Sequence, residues 1–202
     1  MNNADFEALA RVLMGRIFIE LEASGRHVHV TAEQARALFG HSLTPERSLS
    51  QPGQFLAKER VTVIGPKGQF DKEAVLGPER KEAQVELSLT DGRTLGLTLP
   101  VRSSGDVTGS PGCILAGPRG QVGIRQGVIA AQRHVHMTPD DATTMGVRDK
   151  QVVKMQVYTE RPLVFEDVLV RVSPDYATFA HLDYDEANAC GFRKGDLGRI
   201  LS

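Results

Sequence analysis

Arg26-His27-Val28-His29-Val30-Thr31 returns later in the chain as Arg133-His134-Val135-His136-Met137-Thr138. The flanks return too, Ala35 following the first copy and Ala142 the second. Histidine is scarce, with 6 in the chain, and these two motifs hold four of them. In a strand, side chains alternate with period two, so each His-x-His puts both imidazoles on one face. Two such imidazoles can chelate one divalent metal, zinc first among the late first-row ions. An isolated His-x-His is more often a surface or core polar pair. The second copy, with matching flanks, favours a metal. After each motif a helix start is written out. Thr31-Ala32-Glu33-Gln34 has the form of a capping box, with a helix running to about Phe39. Thr138 caps the second, Pro139 takes the first helical position, and Asp140 and Asp141 suit the positive helix end. A strand bearing two His and then a short helix is thus a unit used twice. It predicts two pseudo-equivalent domains meeting at one site.

The rest of the chain fits a mainly β protein. Its 202 residues allow one large domain or two small ones. A hydrophobic fraction of 41% and a charged fraction of 24% are those of an ordinary globular chain. A net charge of -1 with no basic block excludes a nucleic-acid footprint. No apolar run approaches the roughly 18 residues of a membrane span, and no secretory signal opens the chain. Cys113 and Cys190 show neither paired metal spacing nor a disulfide framework, and we read both as structural. A reducing cytosol is the expected compartment. Aromatic content is only 5%, which disfavours sugar platforms and base-stacking surfaces.

In chain order, Phe6, Leu9, Ala10, Leu13 and Ile17 give residues 4 to 17 the periodicity of an amphipathic helix. It either packs on its own domain or docks a partner. Arg16 to Glu22 reads as a strand. Residues 40 to 58 read as an irregular polar loop or small lid. Val61 and Val63 lead to the turn Gly65-Pro66-Lys67-Gly68, which recurs as Gly117-Pro118-Arg119-Gly120. Gln84 to Leu89 alternates as a strand, and Asp91-Gly92 signals a hairpin to a partner strand over Thr94 to Leu99. Val152 to Tyr158, Leu163 to Val172 and Ala177 to Leu182 read as further strands. Short strands with this much turn punctuation predict small β-barrels with short helices.

Two His per site are too few for zinc, which takes three or four protein ligands. His181, at the end of a predicted strand, and Glu86, on the polar face of another, are the candidates to complete the sets. His41 reads as solvent-facing. Arg80, after the Gly77-Pro78 turn, could hold a planar guanidinium toward an anion such as phosphate. The backbone amides of Ser103-Ser104-Gly105-Asp106 could cradle one. Neither a Walker-type loop nor a nucleophile elbow occurs.

Taken in order, six segments resemble one family. They are Ser24-Gly25-Arg26-His27-Val28-His29, Leu49-Ser50-Gln51-Pro52-Gly53-Gln54, Val75-Leu76-Gly77-Pro78-Glu79-Arg80, Gln84-Val85-Glu86, Ser104-Gly105-Asp106 and Arg133-His134-Val135-His136-Met137. The family is the PduL-type phosphate propanoyltransferases, the phosphotransacylases of bacterial microcompartments. The resemblance runs from about residue 18 to about residue 190. It implies two small β-barrels with short capping helices and a dinuclear zinc site between them. Residues 16–25 with 132–202 would form the first barrel. Residues 26–131 would form the second, with a lid-like insertion at about 40–58, and residues 1–15 a targeting or association segment. By position, His27, His29 and Glu86 would hold one zinc, and His134, His136 and His181 the other. Arg80, the catalytic candidate, would surround the phosphate with Ser104 and Gly105. Ser24, Arg47, Leu76 and Asn188 would contact coenzyme A. Gly25 departs from the family's usual Asn, and Ala74 from a frequent basic residue that contacts a coenzyme A phosphate. The activity implied is reversible acyl transfer between coenzyme A and inorganic phosphate. The implied setting is the cytoplasm or a microcompartment, with shell or encapsulated enzymes as partners of the N-terminal helix and a homo-oligomer left open. Two other readings stand beside it: a dinuclear metallohydrolase cleaving an ester or thioester, and a non-catalytic metal-binding scaffold.

Overall fold

The computed structural model describes Gly15 and residues 17–201. Apart from Gly15 and Ile17, the expected N-terminal helix lies outside the described residues. The described chain is mainly β and divides into two compact units. One comprises the chain through Ala23, Arg133–Leu182 and the residues from Glu186 onward; the other comprises Ser24–Gln132 with Asp183–Asp185. Each has its own apolar core.

Strand β1 (Ile19–Ala23) belongs to the first unit and begins three residues later than its alternation suggested. The second unit opens with β2 (His27–His29) and helix α1 (Ala32–Phe39). The expected capping box is in place: the Thr31 hydroxyl accepts from the Gln34 amide, and the Gln34 side chain accepts from Thr31 N–H. Residues 40–58 differ from expectation. β3 (Pro45–Ser48) pairs antiparallel with the start of β4 (Phe55–Ile64), so most of the supposed irregular loop is a hairpin. Its polar side chains reflect an exposed edge strand rather than missing structure, since all four β3 residues are exposed. β5 (Gln69–Gly77) returns along β4, and β6 (Gln84–Glu86) is shorter than its alternation implied.

The cause is local. Ser88 and Asp91 form a second capping box, which starts α2 (Leu89–Leu95). Asp91-Gly92, read as a hairpin turn, is therefore helical. Asp91 is spent at the third helical position, and Gly96 ends the helix in the left-handed region at φ 78°. β7 (Val101–Arg102), β8 (Cys113–Ala116), β9 (Gln121–Ile124) and β10 (Val128–Ala131) complete a nine-stranded sheet, in which β2 lies between β6 and β5. Val28, Val75, Val85, Leu38, Leu95 and Leu115 are among its fully buried core residues.

In the first unit, β11 (His134–Met137) leads into α3 (Pro139–Met145), with Thr138 capping and Pro139 in the first turn as expected. β12 (Val152–Tyr158), β13 (Leu163–Val172), β14 (Phe179–Leu182), α4 (Tyr184–Cys190) and β15 (Leu197–Leu201) follow. With β1 these six strands close into a barrel, in the order β1-β14-β11-β13-β12-β15. Val153, Met155 and Val157 alternate into its core along β12.

The repeated Gly-Pro-basic-Gly turn has a shared job. Lys67 N–H donates to the Leu95 carbonyl at the end of α2, and Arg119 N–H donates to the Leu38 carbonyl at the end of α1, both at 3.0 Å. A third basic turn residue, Arg161, donates in the same way to Cys190 at the end of α4. Each turn satisfies an orphan helix carbonyl and sets a positive residue at a negative helix end. Glycine is needed for this approach. A Cβ on Gly65 or Gly117 would stand 2.5 Å from the Leu95 or Leu38 carbonyl oxygen.

Candidate functional site

Strand pairing builds the first donor group. β2 and β6 run antiparallel with His27 opposite Glu86 and His29 opposite Gln84, so all four side chains share one face. The ligand-capable atoms of His27, His29 and Glu86 lie within 4.8 Å of one another. All three are buried, so Glu86 is not the half-exposed strand carboxylate that its alternation alone would allow. His27 Nδ1 lies 2.8 Å from the Gly25 carbonyl and His29 Nδ1 3.2 Å from the Leu76 carbonyl. A carbonyl only accepts, so each Nδ1 carries the proton. Each Nε2 lone pair is left for the cluster, the arrangement that backs metal-binding histidines.

Charge follows the same geometry. Burial alone would raise the Glu86 carboxyl, but His27, then His29 and the Ser104 hydroxyl, hold it well below the usual carboxylate range. Burial pulls His29 well below an ordinary imidazole, helped by His27 and the nearby Arg80 cation. His27 also loses affinity for its proton through burial, yet Glu86 more than offsets this and raises it. An ionised carboxylate with two Nε2 atoms on one face fits a divalent cation, and three protein donors leave a position for a fourth ligand.

Arg80 stands beside this group. Its backbone N–H donates to the Val30 carbonyl at 2.9 Å, and its guanidinium donates to Ser104 Oγ at 3.4 Å. Ser104 in turn donates to Glu86 Oε1 at 2.8 Å. The Ser103–Asp106 loop closes as a turn, with Asp106 N–H on the Ser103 carbonyl. The Gly105 N–H, expected to face an anion, donates to Gln84 Oε1 at 2.7 Å.

The second donor group lies in the first unit. His134 of β11 is directly opposite His181 of β14, and His136 Nδ1 is 3.1 Å from His181 Nε2. The donor atoms of His134, His136 and His181 also fall within 4.8 Å of one another. Glu22 on β1 is in register with His181, its Oε2 3.6 Å from His181 Nδ1. The Glu22 carboxylate thus stands on the Nδ1 side of the His181 ring. The Tyr176 ring covers His136 with centroids 4.2 Å apart.

The arginine of each motif faces away from its histidines and does structural work. Arg26 donates to Asp91 of α2 at 2.9 Å and to Glu73 at 3.4 Å, with its guanidinium over Phe70. Arg133 donates to Glu186 of α4 at 2.7 Å and lies over Phe165. In both copies it ties the His strand to the helix that follows the strand bearing the third donor.

The remaining expected residues are spread out. Ser24 and Leu76 are half-buried, and Leu76 offers its carbonyl to His29. Arg47 and Asn188 are exposed on β3 and α4, outside both donor groups. A Cβ on Gly25 would meet the Tyr184 hydroxyl at 2.4 Å, so a side chain there requires the exposed Tyr184 ring to move aside. His41 is exposed as expected. Burial pushes the Cys113 thiol up to about 12, which suits a structural rather than a reactive cysteine. Sequence reasoning missed Gln84 and Glu22. Gln84 was findable, two residues from Glu86 on one strand face; Glu22 depends on a long-range pairing that no local pattern reveals.

Comparison with known proteins points to one family. The family model described as phosphate propanoyltransferase matches residues 20–193. A protein of that name from Listeria monocytogenes is 51% identical over 185 residues, covering 91% of this chain and 87% of its own. One from Enterococcus faecalis is 54% identical over 184 residues, covering 90% and 87%. One from Clostridioides difficile is 49% identical over 203 residues, covering 100% and 97%.

Proposed function

The chain belongs to the phosphate propanoyltransferase family, and on that premise we propose that it moves a short acyl group between coenzyme A and inorganic phosphate with two zinc ions, one in each donor group. The family makes it a phosphotransacylase and therefore an enzyme, not a scaffold. In the forward direction a phosphate oxygen attacks the thioester carbon, the C–S bond breaks, and coenzyme A leaves as thiolate. His27, His29 and Glu86 would hold one ion, and His134, His136 and His181 the other. Zinc held there would supply Lewis acidity for the leaving sulfur and for charge on the carbonyl oxygen. Arg80 orients phosphate for attack and offsets its charge. Ser104 and Gly105 shape the phosphate position, while Ser24, Arg47, Leu76 and Asn188 are assigned to coenzyme A. No side-chain nucleophile is required.

The observation that carries this reading is the chain Arg80–Ser104–Glu86, which joins a guanidinium and a small-residue loop to a metal-type donor. A hydrolase that attacks with metal-bound hydroxide has no need of that anion site. Thiol release from acetyl-, propionyl- and butyryl-CoA should therefore require phosphate or arsenate. Brisk release in phosphate-free buffer would favour the hydrolase instead.

Among the described residues no helix is long and apolar enough to cross a membrane. We assign the amphipathic repeat of residues 4 to 17 to localisation in a microcompartment or to self-association, by burial of Phe6, Leu9, Leu13 and Ile17 in a partner groove. Deleting residues 1 to 14 should then leave activity and zinc content nearly unchanged and reduce higher-order species on size exclusion. Unfolding or metal loss in the truncated protein would rule this out.

A further inference from the structure

We propose that Gln84 is a positioning residue for the phosphate half of the reaction, its amide fixing the Ser104–Gly105 loop against Glu86. The inference rests on the phosphotransacylase reading. Gln84 is 2% exposed and lies on the same strand face as His27, His29 and Glu86. Its amide makes three bonds. Nε2 donates to Glu86 Oε1 at 2.5 Å and to Ser104 Oγ at 2.8 Å, and Oε1 accepts from Gly105 N–H at 2.7 Å.

The partners dictate the orientation of that amide. Gly105 N–H can only donate and the Glu86 carboxylate can only accept, so a flipped Gln84 would set acceptor against acceptor and donor against donor. Ser104 is saturated by the same network. Its one proton goes to Glu86, and its lone pairs receive Gln84 and Arg80. Two consequences follow. Glu86 Oε1 is committed to Gln84 and Ser104, which leaves Oε2 facing His27 Nε2 at 3.5 Å. The exposed Gly105, at φ 100°, is held to the sheet through the Gln84 oxygen. Gln84 thereby selects the carboxylate oxygen offered to a metal and sets the loop beside Arg80.

The test uses the full-length, zinc-loaded enzyme. Gln84→Met keeps roughly the side-chain length and removes every amide bond. Losing one or two buried hydrogen bonds should raise KM for phosphate by about tenfold, with KM for acyl-CoA changed less than about twofold. Inorganic phosphate should also give a smaller thermal shift in the variant than in the wild type. In a Ser104→Ala background the Gln84→Met effect on phosphate KM should shrink, because the two act in one network. A second variant guards against misfolding. Gln84→Glu keeps an acceptor for Gly105 N–H, and should hold phosphate KM within about threefold while zinc affinity, read by chelator competition, changes. Unchanged phosphate KM in Gln84→Met, or both KM values rising together, overturns the proposal, as does Gln84→Glu matching Gln84→Met. If wild-type thiol release proves independent of phosphate, the underlying reading fails first, and it does so before any Gln84 variant is made.

Discussion

Freshly purified, unchelated protein should carry about two zinc-like ions per chain, and stripping them should take phosphate-dependent thiol release to background. His27→Ala and His134→Ala should each remove about one equivalent. The grounds are two separate three-donor groups, each built on its own strands with its own fixed rings. His27 and His29 keep their Nδ1 protons on backbone carbonyls, so deleting one ring does not reorient the other. Loss should therefore be local, one ion per mutation, with the second group still loaded. Lewis-acid assistance is worth several kcal/mol, so each variant should lose on the order of a thousandfold in turnover. Chelation should also lower the melting temperature, because metal binds the folded donor groups more tightly than the unfolded chain. Elemental analysis finding one ion or none, or full activity after complete chelation, would sink the paired-metal reading.

The doubled motif was legible because it is local. His-x-His, a Thr cap and a short helix are all set within about a dozen residues, and both copies fold as their spacing dictates. Local signals also misled where two of them competed. Asp91-Gly92 is a good hairpin turn, but Ser88 three residues before Asp91 makes a capping box, and the helix won. β3 has too few apolar residues to announce a strand, because edge strands need not bury a face. The third donors depended on pairing across the sheet. That Glu86 faces His27, and that His181 faces His134, are facts of register between distant strands. Composition and periodicity named them only as candidates, and the family resemblance assigned them roles. Glu22 entered by register alone, whereas Gln84 shares a strand face with Glu86 two residues away.

Arg80→Ala should cost at least about a hundredfold in kcat/KM for phosphate, and Arg80→Lys should restore little of it. Arg80 is held at two points, by its backbone N–H on the Val30 carbonyl and by its guanidinium on Ser104. Burial and His27 depress His29 most, and the Arg80 charge acts in the same direction. A guanidinium can bond to Ser104 and still present a planar fork to phosphate, whereas an ammonium offers a point charge with no fixed plane. Lysine would supply the charge but not the geometry, so phosphate KM should stay high even where some turnover returns. Zinc content should change little in both variants, since Arg80 is not one of the three donors and its guanidinium is joined to Glu86 through Ser104. That separates loss of phosphate orientation from collapse of the metal group. An Arg80→Lys enzyme with near-normal phosphate KM would show that charge alone suffices, and the bidentate role assigned to Arg80 would have to be abandoned.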